Sequence, residues 1–439
     1  MTAEIAIINR GAVTLAADSV MTVSVGGRRK VYTSADKIFE ISENDPIGLM
    51  IYNNLEFMGS PLDVLIKQFR SKLGEKRFAS VDECAESFFS YIWQEWDHSD
   101  QLQVFHAYQM LTPVYSKIWQ DTNYKFGKEL ERTGKNPNLL LVLISSIEQA
   151  ISEYEMCPIS ESLADVTEEM LSAQYDEMID DVIRRSFKNP PINEEQLKLF
   201  RRVGILALHR DVFSDVFTGF VFAGFGESQV FPSIFSYDVD GVVCGKLKRK
   251  MDKPVVMERS QLTAKIIPFA QREVVDRFLV GIDPELEQGI NKHLQETLEI
   301  ARQKIFSNVK RMSKKNRSTI TENLDASLGV MVSDFCENWL EKIKKSYSKQ
   351  TEDMVLFMAK QEAAHLAESL VNITSLKRKY SPDEESVGGP VDVAVISRND
   401  GFVWVKRKHY FDADLNPRYL ARKFGTVKGG KKDASETGQ

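Results

Sequence analysis

The sequence predicts an α+β fold in which antiparallel sheets form a sandwich covered by helical layers. Three observations carry this expectation. Short β-branched or alternating apolar runs, each bounded by a turn signal, cluster near both ends and in the middle of the chain. Stretches with helical spacing of apolar residues separate those clusters. With 439 residues, the chain is long enough to bury a sizeable core, and strand blocks alternating with helix blocks suit sheets packed under helices.

Taken in order, Ile5 to Ile8 and Ala12 to Ala17 are strands joined by the turn signal Asn9-Arg10-Gly11. A second hairpin has Gly26-Gly27 at its turn, and Lys37 to Ile41 and Ile47 to Tyr52 continue the strands around the breaker Asn44-Asp45-Pro46. Ser60-Pro61 opens an amphipathic helix through Leu62, Leu65, Ile66, Phe69 and Leu73, with Gly74 as its stop. Helical spacing then runs from about Val81 to Phe200, where Trp93 and Trp96 with Phe88, Phe89 and Ile92 read as core. Strand signals return at Phe217 to Phe222 and Ser233 to Val239; Asp240-Gly241 reads as a turn, and Val242-Val243-Cys244 as the start of another strand. A second helical stretch spans roughly Glu285 to Arg378, and Val391 to Ile396 and Phe402 to Lys406 close the fold through Arg398-Asn399-Asp400-Gly401.

These signals divide the chain into a first part of the core (1–80), a helical insertion (81–200), a central part of the core (201–284), a second helical insertion (285–350), a C-terminal part of the core (351–427) and a disordered tail (428–439).

Composition narrows the function classes. Apolar residues make up 43% and charged residues 27%, as in ordinary globular proteins. The net charge of -6 gives no general reason to expect nucleic acid or a membrane surface as partner, and the basic cluster Lys310, Arg311, Lys314, Lys315 and Arg317 reads as a solvated face. Leu139 to Ile144, an apolar run that no other exceeds, is too short to span a bilayer. Cys84, Cys157, Cys244 and Cys336 form no CxxC pair, and the histidines show no HExxH spacing, so neither a disulfide framework nor a metal site is expected. With no targeting segment in view, the expectation is a soluble, cytoplasmic protein.

Four segments carry chemistry. The first is Thr2-Ala3-Glu4 followed by an apolar strand, a Gly11 turn, and a second strand ending in Ala16-Ala17-Asp18-Ser19. The second is Ala35-Asp36-Lys37-Ile38-Phe39-Glu40-Ile41. The third is Ala223-Gly224-Phe225-Gly226 with Phe235 to Gly241, and the fourth is Asp383-Glu384-Glu385-Ser386 before Gly388-Gly389 and Val391-Asp392-Val393. Together they resemble proteasome β-subunits, which are N-terminal-nucleophile hydrolases, and are similar to the bacterial proteasome-like peptidase that partners an unfoldase. The match runs without a gap from Thr2 to Asp18 and covers about half the chain.

The resemblance implies a four-layer αββα sandwich with large helical insertions, and a threonine-type hydrolase cleaving amide bonds, chiefly in peptides. Thr2 would be the nucleophile once Met1 is removed, with its α-amine as base, Asp18 and Lys37 tuning that amine, and Asp383 and Ser386 completing the site. A threonine hydroxyl needs such a base, and a free α-amine titrates near ~7.7–8.0. No cofactor is implied; a homo-oligomer and a protein partner on the helical insertions are. The chain departs from the pattern at Ile51-Tyr52-Asn53-Asn54, where the family has an Ala-Gly-Gly turn, and near Ile267 to Gln271, where its Gly-Ser-Gly is missing. These departures leave a second expectation open, a non-catalytic scaffold or partner-binding subunit.

Overall fold

The computed structural model describes residues 3–25, 28–95, 99–188, 191–259, 263–308, 326–381, 388–409, 411–412, 414–418 and 421. The expected turn glycines Gly26-Gly27, the basic cluster, Trp96 and the tail lie outside them. The strands are β1 (Glu4–Asn9), β2 (Ala12–Ala17), β3 (Met21–Val25), β4 (Arg28–Tyr32), β5 (Ile38–Glu40), β6 (Ile47–Asn53), β7 (Glu56–Phe57), β8 (Ser60–Pro61), β9 (Thr218–Gly224), β10 (Ser233–Val243), β11 (Lys246–Met251), β12 (Val255–Val256), β13 (Lys265–Pro268), β14 (Asp392–Ser397) and β15 (Gly401–Lys406). The helices used below are α1 (Leu62–Leu73), α2 (Val81–Glu95), α3 (Asp100–Thr133), α4 (Leu139–Glu155), α5 (Glu168–Ser186), α6 (Glu194–His209), α7 (Arg272–Val280), α8 (Pro284–Asn308), α9 (Glu341–Leu356) and α10 (Lys360–Lys379).

The chain is α+β, and its two main sheets are antiparallel. One has the order β13-β1-β2-β14-β15, and the other β11-β10-β9-β6-β5 with β12 paired to β10. Strand periodicity explains how they stack, because alternate side chains leave opposite faces. From β1, Ala6 and Ile8 enter a buried cluster with Met50 of β6 and Val221 and Ala223 of β9, so the two sheets face each other. Ile5 and Ile7 point the other way, into a cluster with Ala364, Ala367 and Leu370 of α10. Burial on both faces is why most of β1 and β2 reads as apolar without alternation, Glu4, Asn9 and Thr14 apart. The far face of the second sheet carries Phe220 and Phe222, which pack on Phe88 and Phe89 of α2 and lie in one cluster with Leu62 and Ile66 of α1.

Helix α2 therefore covers the sheet directly, whereas α3 to α6 build a separate cluster around Tyr115, Tyr175 and Phe200. Helix α6 runs on to His209, past the expected limit at Phe200, because its apolar face continues to dock there through Ile205, Ala207 and Leu208. Asp240-Gly241 is not a turn. Strand β10 continues through it with a register shift between Val239 and Gly241, a bulge that Gly241 accommodates at φ 142°. The chain reverses instead at Cys244-Gly245, with φ of 46° and 71°, the two positive values a tight hairpin turn requires.

Candidate functional site

The site grows from the β1–β2 hairpin. Asn9 sets the hairpin by accepting from the backbone N–H groups of Gly11 and Ala12 at 3.0 and 3.1 Å. The register pairs Glu4 with Ala17, so Asp18 arrives beside the first residues of the chain. Its N–H donates to the Ala3 carbonyl at 3.1 Å, and its Oδ1 accepts from the Ala3 N–H at 3.2 Å. Oδ2 accepts from the N–H of Gly388 at 3.0 Å and of Val20 at 3.4 Å. Ser19 adds a bond from its Oγ to the Pro390 carbonyl at 2.6 Å. The segment entering β14 is thereby tied to the end of β2.

Lys37 comes from the opposite sheet. Its carbonyl accepts from the Ile51 N–H at 2.8 Å, while its side chain crosses to the first sheet and places Nζ 2.5 Å from Asp18 Oδ1. The same Nζ lies 3.1 Å from Glu4 Oε1, and the side chains of all three residues are fully buried. Charges buried this way are costly unless paired and hydrogen-bonded. Asp18 meets that condition through its hydrogen bond to the ammonium, whereas Glu4 Oε1 lies within ion-pair distance of the same ammonium without a hydrogen bond.

Of the residues expected at the site, Asp18 and Lys37 are in direct contact, 19 residues apart in sequence. Thr2 lies outside the described residues, as do Asp383 and Ser386, and so does Met1. Glu4 was not among the expected site residues. It is the one charged residue in the run Ala3 to Ile8, and a charge inside a strand that otherwise reads as buried on both faces is the signal that marks it.

Tyr52 stands at the departure from the Ala-Gly-Gly pattern. The ring is buried between the sheets, 5.4 Å from Phe269 and 6.0 Å from Phe217, and the hydroxyl donates to Asp238 Oδ1 at 2.6 Å. It lies across Gly219, where an added Cβ would meet the ring at 2.0 Å. Burial, reinforced by the Asp238 charge, pushes the phenol well above its ordinary range. Burial also pushes the Asp238 carboxyl up to about 6, against the opposing Tyr52 hydrogen bond. The next residue, Asn53, takes φ 65°, a left-handed conformation that asparagine tolerates better than most residues. Its side chain fixes the turn by donating to the carbonyls of Asp215 and Phe217 at 3.0 and 2.8 Å. Near the second departure, β13 pairs with β1, and the Phe269 N–H donates to the Glu4 carbonyl at 2.9 Å.

Two features lie away from this site. Lys248, fully buried, donates to the Ala207 and Val212 carbonyls at 2.8 and 2.5 Å and sits 3.5 Å from Asp240, capping the end of α6 on the sheet. A cavity of about 430 Å³ between α3 and the segment Asn54–Gly59 is lined by Phe57, Met58, Phe105 and Met110. The four cysteines are free. Among the described residues, no cluster of side chains could hold a metal ion, and no helix is long and apolar enough to cross a membrane. No protein-family model matches the chain, and no curated protein matches it either.

Proposed function

We propose that this chain is a threonine-type N-terminal-nucleophile hydrolase that cleaves amide bonds, chiefly in peptides, with Thr2 as nucleophile and its α-amine as base. One observation carries the reading: the Asp18–Lys37 pair is built around the N–H of Ala3, the residue covalently next to Thr2. A fixed ammonium there favours the free form of a neighbouring amine, and oriented charges at a reacting centre are worth several kcal/mol in a dry site. Two facing antiparallel sheets with helices on their outer faces support the four-layer αββα sandwich as the fold. A cytoplasmic location and a homo-oligomer belong to the same proposal, as does a protein partner on the helical insertions.

A second reading, a non-catalytic scaffold of the same fold, is favoured by Tyr52. Its ring fills the space over Gly219 between the sheets and is locked to Asp238. Two measurements separate the readings. Intact mass reports whether Met1 is removed and Thr2 begins the chain. An acylating β-lactone, mapped by peptide mass, reports whether Thr2 reacts. Loss of Met1 with labelling that disappears in Thr2→Ala supports the hydrolase. Retained Met1, or equal labelling of both proteins, leaves the scaffold.

A further inference from the structure

We infer that Glu4 is a positioning residue of the candidate site, the second carboxylate of a clamp that aims the Lys37 ammonium at the start of the chain; this rests on the proposed hydrolase reading. Glu4 is in β1 and pairs with Ala17, the last residue of β2, while Asp18 follows directly and bonds Ala3, so both carboxylates come from the same end of the β1–β2 pair. Lys37 reaches them from the other sheet, so its long flexible side chain crosses the gap between the layers. One carboxylate would leave such a chain free to swing about a single bond. A hydrogen bond at 2.5 Å to Asp18 and an ion-pair contact at 3.1 Å to Glu4, the latter without a hydrogen bond at Oε1, hold the ammonium from two directions. Both anchors are tied to the chain start, Asp18 through the Ala3 N–H and Glu4 by lying two residues after Thr2.

Burial argues that the arrangement has a use beyond packing. Each charge taken out of water costs several kcal/mol before pairing offsets it, and apolar replacements of such clusters are often as stable or more so. An apolar residue at position 4 would continue the pattern of Ala6 and Ile8, which face the opposite sheet. A carboxylate there instead brings a second negative charge to one buried lysine. After burial and the Asp238 charge, the Glu4 charge also adds a small part to the rise of the Tyr52 phenol, whose hydroxyl donates to Asp238 at 2.6 Å.

The test is the rate at which the β-lactone acylates Thr2 in the full chain, with folding checked by thermal unfolding. Glu4→Gln keeps the shape and loses the charge; Glu4→Asp keeps the charge and withdraws it by one methylene. Both are expected to slow labelling at least tenfold at matched folded fraction. In a Lys37→Met background the further loss from Glu4→Gln is expected to shrink below twofold, because Glu4 acts through Lys37. A purely structural role would lower the melting temperature and leave the labelling rate of the folded protein unchanged, and that result overturns the inference. So does failure of both Glu4 variants to fold. If wild type labels at Thr2 and Glu4→Gln labels within twofold of it, the inference falls and the hydrolase stands. If wild type does not label at Thr2, both fall.

Discussion

Lys37 Nζ lies 2.5 Å from Asp18 Oδ1 although Lys37 leads into β5 and Asp18 follows β2, strands of opposite sheets, so one buried ion pair bridges the two layers. The bond has two consequences. It sets a charge next to the residue that follows Thr2, and it pins the edge of one sheet to the end of a strand in the other. Variants at this bond therefore report on chemistry and on stability together.

The nucleophile is tested by side-chain chemistry alone. Thr2→Ala is expected to abolish β-lactone labelling and amide turnover, whereas Thr2→Ser, which keeps a hydroxyl, retains part of both. Turnover on mixed peptide amides surviving Thr2→Ala would remove Thr2 from the mechanism.

Lys37→Ala is expected to cost both activity and stability. Removing the ammonium leaves Asp18 and Glu4 buried without their shared cation, a change worth about 3–5 kcal/mol. Asp18→Asn acts through the same bond, so the double variant should lose little more activity than Lys37→Ala alone. Denaturant unfolding beside the labelling rate checks both parts; additive activity losses would mean that Asp18 works independently of Lys37.

Gly219→Ala is expected to destabilise the fold by at least the ~1–3 kcal/mol typical of overpacking, because its Cβ would overlap the Tyr52 ring. In a Tyr52→Ala background the same change should cost much less. Equal costs in the two backgrounds, read from urea midpoints, would show that the ring does not lie over Gly219 in solution.

Asp238 makes stability depend on pH. Its folded carboxyl titrates near about 6, above its ordinary value of 3.8, so the native state holds a proton that the unfolded chain has already released. Its contribution is fully present below about 4 and is lost as pH rises through about 6. Asp238→Asn keeps an acceptor for Tyr52 and cannot titrate. The melting temperature of wild type relative to this variant should therefore fall between pH 4 and 6.5 and level off above. A difference that is flat, or that rises with pH, would contradict the raised carboxyl.

Lys248→Met is expected to destabilise by about 3–5 kcal/mol, since it removes the cation beside Asp240, leaving that carboxylate its Ser214 hydrogen bonds, and uncaps the end of α6. Hydrogen exchange should show the loss concentrated in the last turn of α6. Uniform exchange changes would mean that the cap is not local.

The sequence by itself determined the antiparallel strands, the β1–β2 hairpin and the helical spacing. Each of these follows from local periodicity and from turn residues such as Asn9 and Gly11, whose effect is carried by their neighbours. Asp18 and Lys37 were singled out by the resemblance of their segments to proteasome β-subunits and not by periodicity or spacing. Only the tertiary structure decided that they touch, because the bond joins residues of different sheets and depends on how those sheets stack. The same holds for Glu4, whose burial depends on β1 being covered on both faces, and for Tyr52, whose ring crosses β9 over Gly219 to reach Asp238. Asp240-Gly241 shows the converse. The pair carries a turn signal, yet strand pairing on both sides holds it inside β10 as a bulge, and the reversal moves to Cys244-Gly245. Local chemistry selects what a residue can do. Which partner it meets is set by packing between layers far apart in the chain.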